Sequence, residues 1–165
     1  MGDTNMVASR PTRPRLRAGD IFSVQYLPGR FIFGRIVLAD APAGPMPNSN
    51  LVYLYSTQGQ DESNPPDSDE LTTDRLLFYP FFTNRLGWTR GFFHTVGFAP
   101  ITPDLTLEQY EFYDPAFDHF VDENGVRIHP RGRSFGVFGL ASYRWVDDRI
   151  AEALGHPPAP IGLDD

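Results

Sequence analysis

The alternation of apolar and polar residues is clearest in residues 19–39, where it predicts two β-strands joined by a turn. The first strand covers residues 20–27 and the return strand residues 30–39, with Pro28-Gly29 as the turn between them. The return strand is largely apolar on both faces, so we expect it to be central and covered on both sides. Gly34 within it predicts a bend or a close backbone approach. In the first strand, three apolar residues share one face: Phe22, Val24 and Tyr26.

The last regular element is predicted to be an amphipathic helix from about residue 140 to residue 154. Gly155 gives it a C-terminal stop, and Pro157-Pro158 prevents its continuation. The apolar face comprises Leu140, Tyr143, Val146, Ile150 and Leu154. The face expected to meet solvent comprises Arg144, Asp147, Asp148 and Glu152.

Between these elements the pattern predicts further short strands. Residues 51–56 form an apolar third strand, and Asn124-Gly125 is a strong hairpin turn. Residues 87–98 are also predicted to be β-rich, with Trp88 either in the core or as a half-buried aromatic at an interface. The fold class is therefore mainly β (α+β), with a small SH3-like curved barrel as its core and a C-terminal helix. We expect one domain over residues 19–155, a flexible basic arm over residues 1–18 and a tail over residues 156–165.

Charge narrows the choice of partners. The chain has a net charge of −7, and all fourteen basic residues are arginine. An acidic surface disfavours nucleic acid and anionic membranes and favours a basic partner. Residues 36–74 and 92–126 each hold seven acids and no arginine. Within them we expect partner binding at two acidic segments, residues 61–70 and residues 114–123. The expected contact residues are Asp61, Glu62, Asp67, Asp69, Glu70, Asp114, Asp118, Asp122 and Glu123.

The absence of cysteine excludes disulfides, thiol nucleophiles and thiolate metal sites. The N-terminus lacks an apolar signal core, and no stretch reaches the roughly 18 apolar residues of a membrane helix. We therefore expect a soluble cytoplasmic protein without a cofactor.

Two motifs raise the possibility of catalysis. Residues 132–136, GRSFG, match the G-x-S-x-G nucleophile elbow, which requires a preceding strand, a following helix and a later histidine. The only later histidine is His156, in a proline-rich tail, so we expect a glycine-rich loop. The alternative hypothesis to partner binding is a small metal-dependent enzyme or binding protein. It would use Asp118 and His119, with His129 recruited across the hairpin.

The first hairpin resembles the start of the immunity protein 26 family of bacterial polymorphic toxin systems. The likeness lies in the GDIFSV opening at residues 19–24, the LPGRF turn at 27–31 and the FGRIV return at 33–37. The resemblance implies a mostly β protein that binds and neutralises a cognate toxin, without catalysis of its own. Such families often face nuclease toxins, whose basic substrate cleft an acidic protein can occupy. A third hypothesis, an SH3-like nucleic-acid module with a basic arm, is disfavoured by the acidic body.

Overall fold

Residues 4–160 are described by a computed structural model, in which a five-stranded antiparallel sheet organises the chain. Its strand order is β4-β3-β2-β1-β5, so β4 and β5 form the edges and β2 is central, as predicted. The antiparallel ladder between β1 and β2 pairs Phe22 with Gly34. The strands are β1 (Asp20–Leu27), β2 (Arg30–Leu38), β3 (Asn50–Gly59), β4 (Phe81–Thr83) and β5 (Phe93–Phe98).

Two glycines shape the β1–β2 hairpin. Gly29 adopts a φ of 73°, in the left-handed region that closes the turn after Pro28. Its N–H donates to the Gln25 side-chain oxygen at 2.8 Å. At Gly34, a Cβ atom would lie 2.3 Å from Phe22 Cζ and 2.6 Å from the Tyr53 carbonyl oxygen. The close approach predicted at Gly34 is therefore confirmed.

A second, four-stranded sheet has the order β8-β7-β6-β9. β6 and β7 are antiparallel, whereas β9 runs parallel to β6. The predicted hairpin at Asn124-Gly125 is confirmed, with Gly125 at a φ of 74° between β7 and β8. The strands are β6 (Phe112–Asp114), β7 (His119–Val121), β8 (Arg127–Ile128) and β9 (Gly136–Val137).

The two faces of the first sheet carry separate apolar cores, which explains why β2 is apolar on both sides. One face packs against the helices, through Phe22, Val24, Ile32, Ile36, Trp88, Val146 and Ile150. The other packs against the second sheet, through Ile21, Phe33, Tyr53, Leu71, Phe112 and Val121. Alternate side chains of β1 and β2 thus enter different cores.

The predicted C-terminal helix is present as α2 (Tyr143–Leu154), three residues shorter at its start than expected. Ser142 caps it by accepting the Trp145 N–H at 3.1 Å, and Gly155 ends it at a φ of 78°. The preceding Ala141 instead donates its N–H to the Phe82 carbonyl of β4. Part of the β-rich prediction is wrong, because residues 86–89 form a short helix, α1 (Leu86–Thr89). Three 3₁₀ turns complete the described elements: Ser68–Glu70, Thr73–Arg75 and Pro103–Leu105.

Asp147 of α2 was expected to face solvent, and this prediction is wrong. Its side chain is buried and accepts the backbone N–H groups of Asn5 and Met6, each at 2.8 Å. Burial raises the pKa of Asp147, against the lowering effect of these two hydrogen bonds. The carboxylate therefore fastens the N-terminal segment to the helix.

The N-terminal segment, predicted to be a flexible basic arm, contacts the body of the protein at several points. Met6 and Leu16 are buried in the core that contains the helices. Val7 donates its N–H to the Gln25 carbonyl, and Thr12 to the Trp88 carbonyl. Residues 4–18 thus pack against the body because two apolar side chains anchor them, while residues 1–3 of the predicted arm lie outside the described part.

At the other end, His156 of the predicted tail stacks on Tyr26 with ring centroids 6.0 Å apart, and residues 161–165 lie outside the described part. Within residues 4–160, every helix falls short of the length and apolar character needed to cross a membrane. The domain boundaries and the SH3-like curvature stay predictions.

Candidate partner-binding surface

The first predicted acidic segment, residues 61–70, is fixed at its C-terminal end by a buried arginine. Arg35 of β2 is fully buried and donates to the Ser68 hydroxyl and carbonyl oxygens at 2.8 Å each. It also donates to Tyr55 Oη at 3.2 Å and to the Leu71 carbonyl at 3.3 Å. Four acceptors around one guanidinium satisfy its charge away from water. The segment is thereby held over the sheet face that carries the second core.

The same segment is fixed at its N-terminal end by Glu62. This carboxylate accepts from the Ser23 hydroxyl at 3.1 Å, lies 3.2 Å from His94 Nδ1 and accepts from Arg10 Nη1 at 3.4 Å. Ser23 and His94 are cross-strand neighbours on β1 and β5. Glu62 therefore accepts from three distant parts of this chain, whereas the Glu70 carboxylate accepts the Asp67 N–H at 3.2 Å within its own 3₁₀ turn.

Ser9, His94 and Glu62 stand in series, an order also found in hydrolytic triads. His94 Nε2 lies 3.1 Å from Ser9 Oγ, but it also lies 3.2 Å from the Arg10 carbonyl oxygen. That carbonyl can only accept, and a ring N–H that donates to it is not free to take a proton from the serine. The contacts join the N-terminal segment, β5 and the acidic segment, so we interpret them as a structural clamp.

Replacing Glu62 with glutamine is expected to destabilise the protein in a pH-dependent way. Desolvation by itself would raise the pKa of Glu62. Hydrogen bonds from Ser23 and His94 and the nearby positive charges outweigh it and lower this pKa below its usual 4.5. A lowered carboxyl pKa contributes stability above the unfolded-state pKa, and this contribution is lost as the pH falls through the folded-state value. We expect a loss of about 1–2 kcal/mol near pH 7 that shrinks towards pH 3.

Urea denaturation of the wild type and the Glu62→Gln variant across this pH range measures the difference. Asp69→Asn is the matched control, because Asp69 is an exposed carboxylate of the same segment. Asp69→Asn should leave the free energy of unfolding within about 0.5 kcal/mol of the wild type. A Glu62→Gln deficit of the same size at neutral and acidic pH would contradict the assigned role of the carboxylate.

Between the end of β3 and the acidic segment lies a cleft of about 550 Å³. Its lining includes the carboxylates Asp61, Asp67 and Glu70, together with Phe33 and two prolines, and no basic residue from the described chain. Hydrogen bonds from the side chain and backbone of Ser63 hold the pKa of Asp61 below its usual value. A concave cleft walled by carboxylates is suited to a guanidinium or ammonium group.

The second predicted segment contributes less exposed charge. Asp114 is buried and accepts the Ala116 N–H at 3.0 Å. Asp122 shapes the hairpin turn by accepting the N–H groups of Asn124 and Val126 at 2.9 and 3.0 Å. Glu123 is half-buried, and Asp118 alone of the four predicted residues here is exposed. Asp114 and Asp122 thus have structural partners within the chain.

The geometry does not favour the metal hypothesis. Across residues 4–160, no three or more His, Asp or Glu side chains come together in a group able to hold a metal. His119 Nε2 lies 4.0 Å from Asp114 Oδ2, without a further carboxylate completing a site among the described residues. The G-x-S-x-G match also lacks its context, since Ser134 is followed by strand β9 and not by a helix.

Both acidic segments lie over the same face of the first sheet. The first is tied to that face through Arg35 and Leu71, and the second sheet covers it through Phe112 and Val121. Sequence reasoning missed Arg35 as the anchor, although a lone arginine on an otherwise apolar strand face is the signal for a buried partner.

Comparison with known proteins gives one family match. Neither the curated proteins nor the solved structures yielded a match. The family model for Immunity protein 26 matches residues 17–118, which is more than half of the chain. The matched range contains the complete first sheet, Arg35 and the acidic segment that it anchors. The chain therefore belongs to the Immunity protein 26 family.

Proposed function

We propose that this protein binds and neutralises a cognate bacterial toxin in the cytoplasm, and that it does so by occupancy of a surface and not by catalysis. Membership of a family named for immunity supports the existence of a toxin partner. The observation that carries the choice of surface is the cleft whose walls hold Asp61, Asp67 and Glu70.

The chemistry of the cleft favours a nuclease toxin. A nuclease binds a phosphate backbone and therefore presents arginine and lysine side chains in its substrate cleft. Carboxylates that meet these side chains speed encounter and fix the orientation of the complex. Occupation of the basic cleft then excludes the nucleic acid.

Exposure divides the predicted contact residues into two groups with different roles. Five are exposed and are proposed to contact the toxin: Asp61, Asp67, Asp69, Glu70 and Asp118. Four are half-buried or buried and are proposed to hold the surface in shape: Glu62, Asp114, Asp122 and Glu123.

Neutralising Asp61 and Asp69 together, as Asp61→Asn and Asp69→Asn, is expected to slow association with the toxin domain encoded beside this gene. The rate constant should fall about tenfold at low salt, with a smaller effect at high salt, because long-range attraction is screened. The association rate constant is measured with the purified toxin domain by stopped-flow or surface plasmon resonance. The variants keep the side-chain shapes, so folding should be unaffected.

The control pair is Asp104→Asn with Asp148→Asn, which changes the net charge equally at two exposed sites outside both acidic segments. Its association rate should stay within about twofold of the wild type. Equal slowing by both pairs, or no slowing by either, would place the interface elsewhere. Absence of binding by the wild type to that toxin domain would contradict the proposed function itself.

A further inference from the structure

A second concave surface lies between residues 78–81 at the approach to β4, strand β9 and the start of α2. This apolar groove has a volume of about 470 Å³, within the range of about 300–1,000 Å³ typical of ligand sites. Nine large apolar side chains are exposed in the described chain, and four of them line the groove: Phe135, Val137, Leu140 and Trp145. Apolar exposure is thus concentrated here, as it is at binding sites.

The groove has a rigid aromatic wall. The Trp145 ring packs against Phe81 at 5.7 Å and meets Phe78 edge-on at 5.9 Å between centroids. The indole nevertheless remains 39% exposed. Tryptophan and arginine in partly covered pockets carry much of the binding energy of protein interfaces. This wall is therefore suited to an apolar side chain from a partner.

The positive charge of the groove favours an acidic group beside the partner's apolar side chain. Arg149 lines the groove with its guanidinium 5.6 Å from the Phe78 ring centroid and 5.7 Å from that of Trp145. Its Nη1 donates to Glu152 at 2.7 Å, but its Nε is buried without a hydrogen-bond partner. The described lining contains no acid, and the N-terminal end of α2 at Ser142 adds partial positive charge to the same wall.

We propose that this groove binds a short segment of a partner protein in which an apolar side chain adjoins a carboxylate. The apolar side chain packs on Trp145 and Phe81, and the carboxylate accepts from Arg149. A second copy of this chain fits less well, because an isologous contact centred on the groove would bring two Arg149 side chains towards each other. The inference is independent of the acidic cleft and of the proposed toxin.

The full chain is tested with the peptide Ac-Gly-Phe-Glu-Gly-NH2 by NMR of the two tryptophan indole signals. Trp145 should shift on titration, while the signal of Trp88, which is fully buried in the core, should stay. The glutamine peptide Ac-Gly-Phe-Gln-Gly-NH2 should bind about threefold more weakly, as expected for a partly exposed ion pair. Arg149→Met should remove this difference between the peptides without preventing folding.

Glu152→Gln is expected to have the effect opposite to that of Arg149→Met, because it removes the carboxylate that pairs with Arg149 and leaves the arginine in place. It should strengthen binding of the glutamate peptide and leave the glutamine peptide unchanged. Equal affinity of the two peptides, or no shift of the Trp145 signal, would overturn the inference. A Trp145 shift that follows protein concentration without peptide would also overturn it, in favour of self-association.

Discussion

Gly34→Ala is expected to lower the free energy of unfolding by about 3 kcal/mol. The added Cβ would lie 2.3 Å from Phe22 Cζ and 2.6 Å from the Tyr53 carbonyl oxygen. Phe22 is fully buried between Trp88 and Phe93, so its ring has little room to move. The backbone carbonyl of β3 belongs to the central ladder and is fixed as well.

Gly97→Ala is the matched control, because Gly97 also lies in a strand of the same sheet. A Cβ at Gly97 would meet Ile21 Cβ at 3.9 Å, an ordinary contact. The free energy of unfolding of the Gly97→Ala variant should stay within about 0.5 kcal/mol of the wild-type value. Chemical denaturation of both variants gives the comparison, and equal stability of the two would contradict the close packing of β1, β2 and β3 at Gly34.

Arg35→Met is expected to destabilise the protein by about 2–4 kcal/mol and to loosen the acidic segment. The methionine keeps part of the apolar contact but removes every donor to Ser68, Leu71 and Tyr55. The buried Tyr55 hydroxyl and Leu71 carbonyl oxygen lose this donor, while the Ser68 carbonyl oxygen keeps its bond from the Leu71 N–H at 3.1 Å. Because Ser68 and Leu71 end the segment, amide hydrogen exchange should accelerate across residues 61–71.

Tyr55→Phe serves as the graded control, since it removes one acceptor and leaves the bonds from Arg35 to Ser68 and Leu71 in place. It should destabilise by about 1 kcal/mol without faster exchange in the segment. Burial raises the pKa of Tyr55 to about 12, so the hydroxyl stays protonated over the range in which these experiments are done. Unchanged exchange in Arg35→Met would show that the segment is held by other contacts.

The sequence was sufficient for those parts of the fold that depend on local periodicity. Alternation located β1 and β2, and the helical spacing of Val146 and Ile150 located α2. The helix start was wrong because residues 140–141 pair with β4, a contact distant in sequence. Asp147 was misplaced for a similar reason, since its partners Asn5 and Met6 are more than a hundred residues away.

The candidate site could be predicted only in outline. Charge distribution located both acidic segments, because runs without arginine are visible in the sequence alone. Which carboxylates are already used within the chain depends on tertiary contacts, as between Glu62 and His94. The apolar groove was missed because three separate segments line it. Trp145, an aromatic outside the predicted apolar helix face, was the available signal.

The most direct test of the proposed function is the growth of bacteria that express the proposed cognate toxin. Co-expression of this protein should restore growth, and the Asp61→Asn, Asp69→Asn pair should restore it less well than the Asp104→Asn, Asp148→Asn pair at equal protein level. Growth arrest that persists in the presence of the folded wild-type protein would contradict the proposed function.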